Sequence, residues 1–185
     1  MTPILWLPIG LIGLAIVYFW SLYNSLVSLK TQIEEAFSQI DVQLKRRADL
    51  IPNLVESVKG YAKHEKSIFL EVTKARSGIL GAKNIENKAA ASDMMSNALG
   101  KLFAVAENYP LLKANENFIQ LQKELSDTED KVAYSRQFYN STVLDYNTKI
   151  RTFPNTLFVS PLGFTEKDFF GATEEEKKSV KVTFP

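Results

Sequence analysis

Cysteine is absent from the 185 residues, and histidine occurs once, at His64. No disulfide, no Cys-ligated zinc or iron–sulfur centre and no thiol nucleophile can be built. One His cannot supply a His-rich metal site within one chain. An excess of one charge sign is missing too. The 22 Lys+Arg and 21 Asp+Glu leave a formal net charge of +1, which gives no basic face for DNA or RNA. No nucleic-acid partner and no cofactor is expected. Charge is missing altogether from the first 29 residues; the first charged side chain is Lys30. Of those 29 residues 20 are apolar. The remainder has the roughly 40 % apolar content of an ordinary soluble domain. The length allows one domain of about 150 residues plus this head, not two large domains.

Residues Ile4 to Leu22 read ILWLPIGLIGLAIVYFWSL. A membrane-spanning helix needs about 20 mainly apolar residues. The expected anchor residues are Ile4, Leu5, Trp6, Ile9, Leu11, Ile12, Leu14, Ile16, Val17, Phe19, Trp20 and Leu22. Trp6 stands near one end, and Tyr18, Trp20 and Tyr23 near the other, as interfacial aromatic belts require. A cleaved signal would show a basic n-region, a short h-region and small residues at its exit. Here the flank is not basic, the run is long, and Tyr18-Phe19-Trp20 occupies the exit. A buried core helix would carry polar interruptions. Lys30, with Lys45, Arg46 and Arg47 farther on, favours a cytoplasmic bundle on the positive-inside rule. The expected location is a bacterial cytoplasmic (inner) membrane, crossed once.

After the span the apolar period is helical. Leu22, Leu26, Leu29, Ile33, Phe37, Ile40 and Leu44 form a narrow seam. The membrane helix therefore continues into the aqueous domain as one rod. Asp49 can cap a second helix with Pro52 in its first turn; the alternative is one longer helix kinked at Pro52. The second seam runs Ile51, Leu54, Val58, Tyr61, Ile68, Val72, Ala75 and Ile79, its register passing through Gly60. A third runs Ile85, Ala89, Ser92, Met95, Leu99, Leu102 and Ala106, stopping at Asn108-Tyr109-Pro110. A fourth extends from about Leu111 to Arg151 through Phe118, Leu121, Leu125, Thr128, Val132, Ser135, Tyr139 and Tyr146. No stretch before 152 alternates like a strand. Short connections make neighbours antiparallel. The fold class is all-α: an N-terminal transmembrane helix continuing into an antiparallel four-helix bundle. The domains are an anchor at 1–23, the bundle at 24–152 and an irregular Phe/Pro-rich strap at 153–185. That strap holds Phe153, Phe158, Phe164, Phe169, Phe170 and Phe184, too many rings for a free tail. It either lays its rings on the bundle or docks a partner through residues such as Phe164, Phe169 and Phe170. Thr173 to Lys178 reads as a solvated turn or short helix.

Other clusters carry weaker signals. His64-Glu65 are neighbours about 100° apart on a helix, and no second His completes HExxH. Lys45-Arg46-Arg47 resembles a headgroup patch, yet Lys45 lies about 34 Å beyond Leu22 along a straight helix. A membrane field decays over roughly 8–10 Å. Pairing with Asp41, Asp49 or acids of the fourth helix fits better; contact with an anionic partner is the other reading. Asp127, Glu129 and Asp130 lack EF-hand spacing and read as a solvated helix face. Ser77 to Lys83 lacks the P-loop arrangement and reads as a helix C-terminus.

Three stretches, Tyr23 to Val27, SQIDVQLKRRADLIPNLVESVKGYAKHE from Ser38 to Glu65, and ENYPLLKANENFIQLQKELSDTED from Glu107 to Asp130, resemble the LemA family of bacterial membrane-anchored proteins. The pairs Tyr139-Asn140, Tyr146-Asn147, Phe153-Pro154, Gly163-Phe164 and Phe169-Phe170 extend the match. The resemblance implies a membrane helix followed by a helical bundle, with no catalytic residues to carry over. It points toward membrane organisation or quality control. The leading expectation is a non-enzymatic, self-associating scaffold. Its partners are the lipid bilayer through the N-terminal helix, a homo-oligomer and other membrane proteins. A bundle released by signal cleavage and an enzyme with an interhelical site are the alternatives.

Overall fold

The computed structural model describes residues 3–171, with side chains from 9 onward. The order is α1 (Pro3–Lys59), α2 (Lys66–Gly81), α3 (Ile85–Ala106), the single turn α4 (Pro110–Lys113), α5 (Glu116–Arg151) and a 3-10 turn (Asn155–Leu157). No strand occurs among the described residues. The expected all-α architecture and the passage of the apolar helix into the bundle are both present.

Of the two readings of Pro52, the structure takes the one longer helix and not a second helix starting at Asp49. Asp49 caps nothing, because α1 runs through Pro52 to Lys59. A proline inside a helix withholds the N–H that its i−4 carbonyl needs. That carbonyl belongs to Ala48, and Arg76 Nε of α2 donates to it at 2.9 Å. A neighbouring helix supplies the missing donor. The chain turns at Gly60 instead, where the expected register was to continue. Tyr61 N and Ala62 N both donate to the Val58 carbonyl, at 3.0 and 2.9 Å. Glycine is a poor helix former. Lys63, His64, Glu65 and Lys66 then give a continuing helix no apolar residue to bury. Tyr61 and His64 are exposed, while Ala62 plugs the turn at 1 % exposure. Phe69, not Ile68, enters the core of α2.

Elsewhere caps explain the boundaries. Asn84 Oδ1 accepts from Asn87 N at 2.8 Å at the start of α3. Asn115 Oδ1 accepts from Phe118 N at 3.1 Å at the start of α5. Both are asparagine N-caps satisfying orphan amides. Pro110 sits in the first turn of α4, where its missing N–H is harmless. Gly81 ends α2, as its sequence suggested.

The described residues form two compact units. One comprises α1 as far as Glu35 with Asn140–Lys167; the other comprises Ala36–Tyr139 with the chain from Asp168. The second unit is an antiparallel bundle by its side-chain pairs. Between α1 and α5, Phe37 meets Tyr139 and Arg47 meets Glu129, so rising numbers meet falling ones. The α3–α5 pairs Asp93–Arg136 and Phe103–Phe118 behave likewise, as do Glu71–Lys101 and Gly78–Ala91 between α2 and α3. Its core holds Ile40, Leu44, Ile51, Leu54, Met95, Leu102 and Leu125. In the first unit Leu22, Leu26, Ile33, Tyr146 and Ile150 are buried. The seam read from Leu22 to Leu44 is the inward face of α1.

Candidate functional site

The first unit presents an apolar helix surface and an aromatic collar. Residues 9–18 of α1 are all exposed, including Ile9, Leu11, Ile12, Leu14, Ile16 and Val17. A buried core helix would be covered by its own protein; this stretch is not. A helix that is apolar on every side needs an apolar environment. Among the described residues, α1 is the one helix long and apolar enough to cross a membrane. The side chains of Ile4, Leu5 and Trp6 lie outside the described ones.

Where the apolar run ends, the chain following α5 folds against it. The Tyr18 hydroxyl donates to Asn155 Oδ1. Phe19 and Phe158 meet edge to face at 4.6 Å between centroids, and Tyr23 meets Phe164 at 5.6 Å. Asn155 Nδ2 donates to the Lys149 carbonyl at 2.8 Å, tying the strap to the end of α5. Farther on, Asn147 Oδ1 accepts from Lys167 N at 2.9 Å and its Nδ2 donates to the Lys167 carbonyl at 2.8 Å. Arg151 and Glu166 form a bidentate pair. Their mutual hydrogen bond raises the pKa of Arg151 and lowers that of Glu166. Phe19, Trp20, Tyr23, Phe158, Pro161 and Leu162 line an open apolar hollow of about 550 Å³. Aromatic pairs of this geometry add stabilisation beyond simple area burial.

The second unit holds the basic cluster. Lys45 and Arg46 are exposed, but Arg47 is 3 % exposed. Its Nη1 donates to Ser96 Oγ at 3.1 Å and its Nη2 pairs with Glu129. Ser96 Oγ donates in turn to Glu129 Oε1 at 2.9 Å. Burial lowers the Arg47 pKa, and the Glu129 charge and hydrogen bond oppose that shift. Arg47 is thus part of an interhelical knot, not of an open basic patch. Lys88 of α3 is also buried: it pairs with Asp41 and lies 5.5 Å from the Phe37 ring. Nothing in the periodicity marked Lys88, because a lysine on the edge of an apolar seam reads as solvent-facing.

Phe170 and Phe164 are buried and Phe169 is half-buried. Phe170 packs edge to face on Tyr139 at 6.4 Å, and the Arg136 guanidinium lies 5.1 Å from its ring. Tyr139 donates its hydroxyl to the Asp168 carbonyl at 2.9 Å. Burial pushes the Tyr139 phenol up to about 12, with Asp168 adding to the shift. Gly171 follows at φ +78°, and a Cβ there would meet Arg136 Nη2 at 2.5 Å. Its backbone conformation favours glycine, while the Arg136 side chain could move aside for a Cβ. Thr173 to Lys178, Phe184 and Pro185 lie outside the described residues.

The acidic run of α5 separates into partners. Asp127 pairs with Lys131 at 2.7 Å, which lowers its pKa, and Glu129 serves Arg47. His64 stands exposed in the turn after Gly60. Among the described residues, no three His, Cys, Asp or Glu are grouped to hold a metal ion.

A family model described as the LemA family matches residues 36–184. Magnetosome protein MamQ 2 of Paramagnetospirillum magneticum is 26 % identical over 174 residues, spanning 80 % of this chain and 64 % of its own length. Magnetosome protein MamQ of Magnetospirillum gryphiswaldense is 25 % identical over 174 residues with the same coverage. Protein LemA of Metamycoplasma hominis is 29 % identical over 161 residues, spanning 85 % of this chain and 72 % of its own. The chain thus spans about 64 % of the length of the MamQ relatives.

Proposed function

The chain belongs to the LemA family, and from that premise we propose that it is a single-pass membrane protein acting as a non-enzymatic scaffold. The observation that carries this reading is the fully exposed apolar surface of residues 9–18 on a helix that continues into the bundle. In water that surface is a liability; in a bilayer it is an anchor. Residues 1–23 anchor the chain, 24–152 build the bundle and 153–185 form the strap. The bundle lies on the cytoplasmic side of a bacterial inner membrane, because the first cations follow the span.

The scaffold associates with itself or with membrane-protein partners, in membrane organisation or quality control. Relatives named as magnetosome proteins favour a role in a cellular assembly over a role in a reaction. Exposed Lys45 and Arg46 remain available to an anionic partner. Chemical crosslinking in membranes, followed by native mass measurement in detergent, tests the proposal. Defined oligomers or a co-purifying membrane protein are expected. A strictly monomeric chain without companions would overturn the scaffold reading.

A further inference from the structure

Two charge-free segments meet in the first unit. One is the head, uncharged up to Lys30; the other runs from Thr152 to Thr165, between Arg151 and Glu166. They are far apart in sequence, yet Tyr18–Asn155, Phe19–Phe158 and Tyr23–Phe164 bring them together at the end of the apolar run. The strap buries Val159 and Phe164 there but leaves other apolar side chains open. Phe153 is 75 % exposed, Leu157 60 % and Leu162 45 %. Leu162 also lines the apolar hollow, with Phe19, Trp20, Tyr23, Phe158 and Pro161.

We propose that strap residues 153–163 form a second membrane element, seated in the headgroup–acyl boundary of the bilayer that α1 spans. This rests on the anchoring role of α1 and goes beyond it. Three observations select a bilayer as the occupant of this surface. The patch is continuous with the apolar surface of α1. Neither segment brings a charge to it. Its backbone is largely self-satisfied: the N–H groups of Thr156, Leu157, Phe158, Val159, Gly163 and Phe164 all donate to carbonyls of residues 152–160. An irregular segment cannot enter the hydrocarbon core with open backbone groups. A turn with most of its donors filled can lie at the boundary, where its remaining carbonyls still reach water. Aromatic and aliphatic side chains anchor such interfacial segments. The strap therefore fixes the depth of the chain, and the hollow at Trp20 receives lipid acyl segments.

Depth-dependent quenching in vesicles tests this. The full chain, with Trp6→Phe and Trp20→Phe, is reconstituted in phosphatidylcholine brominated either near the headgroup or near the chain end. Single reporters are Leu157→Trp in the strap, Leu14→Trp in the span and Leu111→Trp on α4, where Leu111 is 76 % exposed. Bromine near the headgroup should cut Leu157→Trp emission at least about twofold, and more than deep bromine does, as expected for an interfacial segment. Leu111→Trp should be unchanged. Unquenched Leu157→Trp beside quenched Leu14→Trp would overturn the strap proposal and leave the anchor standing; a partner protein or second copy would then cover the patch. If Leu14→Trp is also unquenched, the anchor itself fails. Equal quenching of Leu111→Trp would mean that the whole body lies on the membrane, which also contradicts a strap-specific contact. Helix content by circular dichroism checks each variant, and Phe153→Trp replaces any Leu157→Trp protein that misfolds.

Discussion

Arg47 occupies the interior of a helical bundle, where a guanidinium survives only with its partners in place. Removing Glu129 alone leaves a buried charge with Ser96 as its remaining partner. Glu129→Leu should therefore cost about 2–4 kcal/mol, the range for breaking a buried pair, reduced because Glu129 is itself partly exposed. Replacing both, as Arg47→Met with Glu129→Leu, should recover most of that loss. Thermal unfolding of the two variants in detergent measures it; equal destabilisation of the single and double variants would show that the pair matters little. Tyr139 gives the same chemistry a pH axis. Its folded pKa, about 12, lies above the ordinary tyrosine value. Its contribution is whole below pH 10 and is lost as pH rises from about 10 to about 12. Tyr139→Phe should flatten that alkaline decline, while losing about 1 kcal/mol at neutral pH with the hydrogen bond to Asp168. Denaturation series at several alkaline pH values check the slope. An unchanged slope would remove Tyr139 from the account.

Helix α1 shows how far an element can be read before its neighbours are known. The seam from Leu22 to Leu44 was legible, because burial on one face of a helix writes a 3/4 spacing into the chain. The end of α1 was not. Local rules leave Pro52 either starting a helix or lying inside a longer one; its unpaired Ala48 carbonyl is met by Arg76, which is 24 residues downstream of Pro52 in sequence and on another helix. No local pattern encodes that contact. The hydrogen bond predicts a coupling. Arg76→Leu should cost about 1–2 kcal/mol in the natural chain, the range for an orphaned carbonyl. In a Pro52→Ala background the new N–H satisfies Ala48, so the same substitution should cost well under about 1 kcal/mol. A double-mutant cycle by thermal unfolding reads this directly, and additive effects would contradict it. Basic and acidic clusters were legible as types but not as sites. Lys45 and Arg46 face solvent while Arg47 continues the 3/4 spacing of Leu44 and Ile51 and faces the core; its partners, Ser96 and Glu129, come from α3 and α5 and no local pattern names them.

At the scale of the molecule, charge placement carries the account. A nearly neutral chain hides two uncharged segments, and folding brings them to one end of the apolar helix. Outside the head some of the charges form short pairs, such as Asp127–Lys131 and Asp93–Arg136, most of them exposed and individually weak. Attachment to a membrane then depends on apolar surface and not on a long-range field. The aromatic strap was expected either to cover the bundle or to dock a partner. Its described part does the first at Phe164 and Phe170, while Phe153, Leu157 and Leu162 stay open. The most direct test of the central claim is alkaline carbonate extraction of cell membranes, followed by intact mass measurement of the chain. Retention in the pellet of a chain whose mass still includes the apolar head is the predicted result. Release into the supernatant, or a mass lacking the head, would contradict it.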